Sequence, residues 1–234
     1  MGLFSKIKND FVNVYRNDPA IHSKFELFFN YPGVWAIVWY RIANHLYNSG
    51  MKRSARFLMA FNQFLTNIDI HPAATIGERV FIDHGIGVVI GETAVIKDDV
   101  LIYQGVTIGG VDLSAGVKRH PTIMSGAVIG AGSKVLGNII IGKNARIGAN
   151  SVVVREVPDD STAIGIPAHV VQKGRDKGLL SHNKLPDINK ELFEYMLKRV
   201  AILEHILMED HKDVLEQDIE LEHIYEAFIR SMKN

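Results

Sequence analysis

Residues 89–109 read VIGETAVIKDDVLIYQGVTIG, with isoleucine at 90, 96, 102 and 108. A branched apolar residue every six positions fits neither a lone helix nor a lone strand. Outward from this stretch the beat continues. Upstream it falls on Ile70, Ile76 and Ile82, and downstream on Ile123, Ile129, Val135, Ile141, Ile147 and Val153. The next residue is often glycine, as at Gly77, Gly91, Gly109, Gly130, Gly142 and Gly148. A small or β-branched residue sits two places before the beat, as at Ala74, Val80, Ala94 and Val100. Such a period belongs to a solenoid in which each hexad forms one face of a triangular coil and three hexads complete a turn. The branched residue then points inward and stacks on the residue eighteen positions later, while glycine relieves crowding at the corner. A sandwich of short strands would instead alternate with period two and space its turns irregularly.

The beat breaks twice. Ile82 to Ile90 spans two residues more than a hexad and holds Asp83, His84, Gly85, Ile86 and Gly87. Ile108 to Ile123 spans fifteen residues, which reads as two hexads with three extra, and holds Gly109, Gly110, Arg119 and His120. A solenoid takes insertions as loops projecting from one coil, and function concentrates on such loops.

Around this core the expected class is α+β. Residues 1–67 read as a helical N-terminal region, in which Phe4, Ile7, Phe11 and Val14 follow three-and-four spacing. Asp18-Pro19 breaks that helix and starts another, with Asp as cap and Pro in the first turn. Tyr31-Pro32-Gly33 reads as a turn ahead of helices over 34–48 and 52–66. Residues 68–173 form the β-helix domain, closed by Gly165-Ile166-Pro167-Ala168, since proline cannot donate to another ladder. Residues 174–185 are a polar linker. Residues 186–234 read as a helical tail whose stripe of Leu192, Met196, Val200, Leu203 and Leu207 suits packing or assembly.

Composition excludes several function classes. The chain has 234 residues, is 47% hydrophobic and carries a formal net charge of zero, so charge gives no argument for nucleic acid or an anionic membrane as partner. It has no cysteine, which rules out disulfides and thiolate catalysis. No apolar run approaches the roughly 20 residues of a membrane span, and no secretory signal is visible, so a cytoplasmic location is expected. There is no phosphate-cradling Walker loop and no metal-ligand cluster at credible spacing.

Several motifs carry a resemblance. Asp69-Ile70-His71-Pro72, Asp83-His84-Gly85-Ile86-Gly87, Gly91-Glu92-Thr93-Ala94 and Arg119-His120-Pro121 resemble those of the serine O-acetyltransferases of the cysteine pathway, within the hexapeptide-repeat acyltransferases. So do Thr107-Ile108-Gly109-Gly110, Leu136-Gly137-Asn138 and, in the helical region, Asp18-Pro19-Ala20. The match runs over residues 15–173. It implies a left-handed β-helix and a homotrimer with each site between neighbouring β-helices. It also implies acetyl transfer from acetyl-CoA to the hydroxyl of L-serine through a ternary complex. Transfer to an alcohol needs a base, and histidine suits it because its ordinary pKa lies near 6.5. An acid on the other ring nitrogen fixes the tautomer, as in hydrolytic triads. By resemblance His84 is the base and Asp69 its partner, and their spacing of fifteen residues, close to one turn, allows neighbouring coils to bring them together. His71 reads as structural. By resemblance Asp18 and Asp83 hold the substrate ammonium, and Arg119 with His120 holds its carboxylate. Gly109, Gly110, Ala131 and Ala149 are small residues against which the pantetheine arm of coenzyme A can lie, and Ala131 and Ala149 are spaced to stack.

The alternatives are a same-fold acetyltransferase for homoserine or a sugar, and a non-catalytic β-helix scaffold. The retained Asp69 and His84 speak against a scaffold, and Asp18 and Arg119 favour an amino acid over a sugar. The sequence departs from the family in three places. Its helical region is shorter than the long N-terminus that pairs two trimers, so assembly beyond the trimer stays open. Val111-Asp112-Leu113-Ser114-Ala115 replaces a glycine- and lysine-rich run. The chain ends Met232-Lys233-Asn234 rather than on the isoleucine by which many relatives enter cysteine synthase, so that complex is not expected through the C-terminus.

Overall fold

The computed structural model describes residues 2–17, 29–112, 114 and 116–173, and the helical positions 193, 195–201 and 203. Asp18 and most of the tail lie outside the described residues. The chain divides into two compact units, Met1–Leu185 and Pro186–Asn234. The helical N-terminal region and the β-helix therefore share the first unit.

Three helices open it: α1 (Leu3–Asn17), α2 (Pro32–Asn48) and α3 (Lys52–Thr66). The Tyr31-Pro32-Gly33 stretch is not a separate turn, because Pro32 occupies the first turn of α2, where its missing N–H costs nothing. Gly33 is required there, since a Cβ would run into the carbonyl of Ile82 as α2 lies on the first coil. Asn67 ends α3 in the left-handed conformation, at φ 56°, and hands the chain to the first strand.

The hexads then form short parallel strands that return to the same three sheets. One face stacks β1 (Asp69–Ile70), β4 (Val89–Ile90), β7 (Thr107–Gly109), β10 (Lys134–Leu136) and β13 (Val152–Val153). The second stacks β2 (Thr75–Ile76), β5 (Val95–Ile96), β8 (Thr122–Ile123) and β11 (Ile140–Ile141). The third stacks β3 (Phe81–Ile82), β6 (Leu101–Ile102), β9 (Val128–Ile129), β12 (Arg146–Ile147), β14 (Ser161–Gly165) and β15 (Ala168–Lys173). All pairings are parallel until β15, which folds back antiparallel on β14 after the Ile166-Pro167 turn.

All thirteen residues on the six-residue beat are buried, from Ile70 to Val153. Ile90 pairs with Ile108, and Val135 with Val153, each at the expected separation of eighteen. Each fully buried isoleucine contributes about 1.5–3 kcal/mol, so this inner column dominates the stability of the unit. The third sheet is apolar on its outer side too. There Phe81, Leu101 and Val128 are buried with Val14 and Val34, and Phe11 of α1 packs against them.

The second break differs from its reading in the sequence. Ile108 and Ile123 lie on adjacent faces, since Ile108 pairs with Ile90 and Ile123 with Ile96. Fifteen residues thus replace a single hexad, and the loop carries nine extra residues. No helix among the described residues is long and apolar enough to cross a membrane.

Candidate active site

The two breaks fall on opposite edges of the β1-β4-β7-β10-β13 sheet. The first lies at the corner that enters this sheet, between β3 and β4. The second lies at the corner that leaves it, between β7 and β8. Residues the sequence assigned to one site are therefore divided between two edges of the chain.

At the entering corner, His84 adopts a left-handed backbone at φ 58° and its side chain is 72% exposed. Its Nε2 lies 4.0 Å from Asp83 Oδ1. The corner runs beside the start of β1: Gly87 N donates to Asn67 O at 2.8 Å, and Asp69 N donates to Val88 O at 2.9 Å. His84 and Asp69 thus sit on neighbouring backbone segments, but no hydrogen bond joins their side chains. Ala131 and Ala149 occupy the same corner two and three coils on. Asn150 N donates to Ala131 O at 2.8 Å, which stacks that corner on the one below.

At the leaving corner a cavity of about 340 Å³ is lined by Arg56 and Gln63 of α3, Asp69, His71, Glu92, Arg119 and His120, among others. Arg119 Nη2 donates to Glu92 Oε2 at 3.0 Å and Nη1 to Ser114 O at 3.3 Å, and among the described residues these are its side-chain hydrogen bonds. His120 is buried, and its ring lies over Gly91, where no side chain is tolerated. Its Nδ1 accepts from Thr93 N at 3.2 Å and lies 2.8 Å from Thr93 Oγ1. His71 Nδ1 likewise accepts from a backbone N–H, that of Ala73, at 3.1 Å.

Electrostatics agree with this geometry. Burial first, then the Arg119 and Lys118 charges, holds the His120 pKa below its usual 6.5, against the opposing pull of Glu92. His71 is also held below 6.5, chiefly by burial. Lys118 is lowered by burial as well, and its Nζ donates to Thr93 O at 2.7 Å, to Pro121 O at 3.2 Å and to His120 O. That ammonium fastens the base of the long loop to the coil beneath.

The structure thus gathers Asp69, Arg119 and His120 at one cavity, and Asp83, His84, Ala131 and Ala149 along the other edge. Gly109 ends β7, beside Leu136 of the next coil. Gly110 has a second reason to be glycine: a Cβ there would come within 3.1 Å of Arg119 Cγ and 3.2 Å of His120 Nε2. Sequence reasoning missed Glu92, Thr93 and Lys118, and it set His71 aside although His71 lines the cavity.

A coil of hexads carrying a cavity lined by both arginines and carboxylates on one corner and an exposed histidine on another has the architecture of a hexapeptide-repeat transferase. Residues 120–155 match the family described as Bacterial transferase hexapeptide (six repeats). Similarity to one group extends much further. A serine acetyltransferase of Synechococcus elongatus is 45% identical over 203 residues, covering 86% of this chain and 83% of that one. A solved serine acetyltransferase in complex with cysteine superposes with a TM-score of 0.71 at 43% identity, covering 74% of this chain and 67% of that one. A Brucella abortus serine acetyltransferase in complex with coenzyme A gives 0.70 at 40% identity, covering 74% and 69%. The chain belongs to the serine acetyltransferase family, and its parallel β-helix is the left-handed one.

Proposed function

We propose that this protein transfers the acetyl group of acetyl-CoA to the hydroxyl of L-serine, giving O-acetylserine and coenzyme A. The observation that carries the reading is that Arg119 and His120 lie together on a cavity that also presents the Asp69 and Glu92 carboxylates. This is a receptor for a small zwitterion. A relative solved with cysteine, an amino acid of serine's size, and another solved with coenzyme A support both halves of the reaction.

In this mechanism the serine carboxylate meets Arg119 and the Nε2–H of His120, and Asp83 and Asp18 hold its ammonium. His84 takes the hydroxyl proton as the serine oxygen attacks the thioester carbonyl. The tetrahedral intermediate collapses by expelling the thiolate, which recovers the proton from His84, so no enzyme-bound acyl group is needed. Of the three histidines at these corners, His71 and His120 already engage Nδ1 with N–H donors. His84 keeps its ring nitrogens for chemistry, and its imidazole is exposed enough to turn toward Asp69, which would fix its tautomer. Acetyl-CoA would run along Ala131 and Ala149 toward Gly109 and Gly110, with no metal in the reaction.

These groups occupy two edges of one sheet. A homotrimer would complete each site by setting the His84 edge of one subunit against the Arg119 edge of the next. Residues 68–173 are the catalytic domain in this reading, residues 1–67 its helical cap, 174–185 a linker and 186–234 an assembly element. The enzyme acts in the cytoplasm.

Release of free thiol from acetyl-CoA, measured against serine, homoserine, threonine and a sugar panel, tests the reading. Serine is expected to give the highest kcat/KM. A higher value for homoserine or a sugar would overturn the substrate, and no thiol release with any acceptor would overturn the activity.

A further inference from the structure

Thr93 has no assigned part in the site, yet it makes more contacts with the two anion-binding residues than any other side chain described above. Its Oγ1 accepts from the backbone N–H of Arg119 at 3.0 Å and from that of His120 at 3.2 Å. It also lies 2.8 Å from His120 Nδ1, while Thr93 N donates to the same nitrogen at 3.2 Å. A hydroxyl has one proton to give and two lone pairs to receive. Both lone pairs are taken by the two backbone donors, so the proton goes to Nδ1. The single lone pair of Nδ1 is therefore shared between these two donors in a three-centre bond, and the nitrogen carries no proton of its own.

We infer that Thr93 is a positioning residue for serine binding: it sets the backbone of Arg119 and His120 and locks His120 as the neutral tautomer with its proton on Nε2. The inference rests on the reading of Arg119 and His120 as the carboxylate-binding pair. His120 is then a fixed N–H donor and takes no proton during turnover. Protonating Nδ1 would set an N–H against two donors at once. The donor that remains is Nε2–H, and Nε2 lies where a Cβ on Gly91 or Gly110 would crowd it. Thr93 sits one coil beneath His120, two residues before β5 as His120 is two before β8. The hydroxyl thus ties two successive corners together.

The test uses the full-length protein with Thr93→Val, which keeps the shape and removes the hydroxyl, and Thr93→Ser, which restores it. Nitrogen-15 NMR of the imidazoles, with His120 assigned by its loss in His120→Gln, reads the tautomer directly. The expected result is the Nε2–H form at neutral pH in the wild type and in Thr93→Ser. In Thr93→Val that form is lost, the KM for serine rises roughly tenfold, and the KM for acetyl-CoA stays within about twofold. An Nδ1–H or freely exchanging ring in the wild type overturns the inference even if Thr93→Val fails to fold. An unchanged tautomer and unchanged serine KM in Thr93→Val overturn it as well. If instead Arg119→Ala and His120→Gln leave serine KM unaltered, the assignment of the carboxylate site fails, while the NMR result still decides the tautomer.

Discussion

Replacing Gly91 by alanine adds one methyl group beneath His120 and nothing else. The backbone of Gly91 is not in the left-handed region, so an L-residue is tolerated there without strain. The methyl, however, would fall on the imidazole: Nε2 and Cδ2 lie well inside contact distance of the added carbon, and Cε1 lies 2.9 Å from it. Non-bonded heavy atoms settle at about 3.5–4.0 Å. Even Cε1 must therefore move by about 0.6 Å, and the nearer atoms by about 1.5 Å. The ring cannot tilt away freely, because Nδ1 is tied to Thr93 N and Oγ1. A displacement of about 1 Å in a substrate-positioning group costs on the order of 100-fold, or about 2.7 kcal/mol in transition-state stabilisation. Gly91→Ala is therefore expected to lower kcat/KM for serine by about 100-fold. The KM for acetyl-CoA should remain near the wild-type value, while the clash itself should cost about 1–3 kcal/mol of stability. Steady-state thiol release with each substrate varied in turn makes the measurement. A kcat/KM for serine within about threefold of wild type, in a folded protein, would refute the placement of His120 at the carboxylate. A large rise in the KM for acetyl-CoA alone would show that the cavity serves the other substrate.

Other predictions follow from the same geometry. His84→Asn keeps a residue that accepts φ near 58°, so the fold should persist while kcat drops roughly 100- to 10,000-fold; a near-native rate in the thiol-release assay would remove His84 as base. Arg41 and Asp10 form a buried pair at 3.1 Å, and Arg41 also donates to Ile76 O at 2.6 Å. Asp10→Ala leaves that cation unpaired and should cost about 3 kcal/mol in urea unfolding, whereas a loss below about 1 kcal/mol would show the pair to be dispensable. His71 and His120 titrate below their ordinary 6.5 in the folded protein, so the unfolded chain takes up protons first as pH falls. Their contribution to stability is present above about pH 6.5 and is lost as pH drops through the lowered folded values. The urea midpoint should accordingly fall on acidification, and less so in His120→Gln; an equal fall in both would assign the effect elsewhere.

The inner column of the β-helix was legible because one physical constraint repeats: every sixth side chain must fill the axis of the coil, and each of the thirteen does. The glycines after the beat were legible for a related reason, since a Cβ on Gly77, Gly130 or Gly142 would strike the next coil's backbone. Local signals also placed α2 and α3, though Pro32 was taken for a turn when it opens a helix. The candidate site was harder to read. Counting the long loop as two hexads plus three hid its true length of nine extra residues. With the correct count, His120 stands on Thr93 at a separation of 27, the offset that also joins Ile96 to Ile123. Glu92, Thr93 and Lys118 were invisible because hydrogen bonds across coils leave no period in the chain. The Asp69–His84 pairing was implied by the family resemblance, with a spacing near one turn that allowed it. The structure brings their backbones alongside but leaves the side chains unbonded.

A stack of parallel strands has two raw rims, and each could accept a strand from another molecule. Here the first rim and one sheet of the last are capped by different chemistry. At the first coil, Tyr40 Oη donates to Ala74 O at 2.6 Å and accepts from Ile76 N at 3.1 Å, while Arg41 holds the carbonyls of Ile76 and Gly77. At the last, β15 reverses direction against β14 and presents the wrong polarity to an incoming parallel coil. On the third sheet, therefore, an incoming parallel coil finds no strand of matching direction, and head-to-tail extension of the axial column of isoleucines is disfavoured.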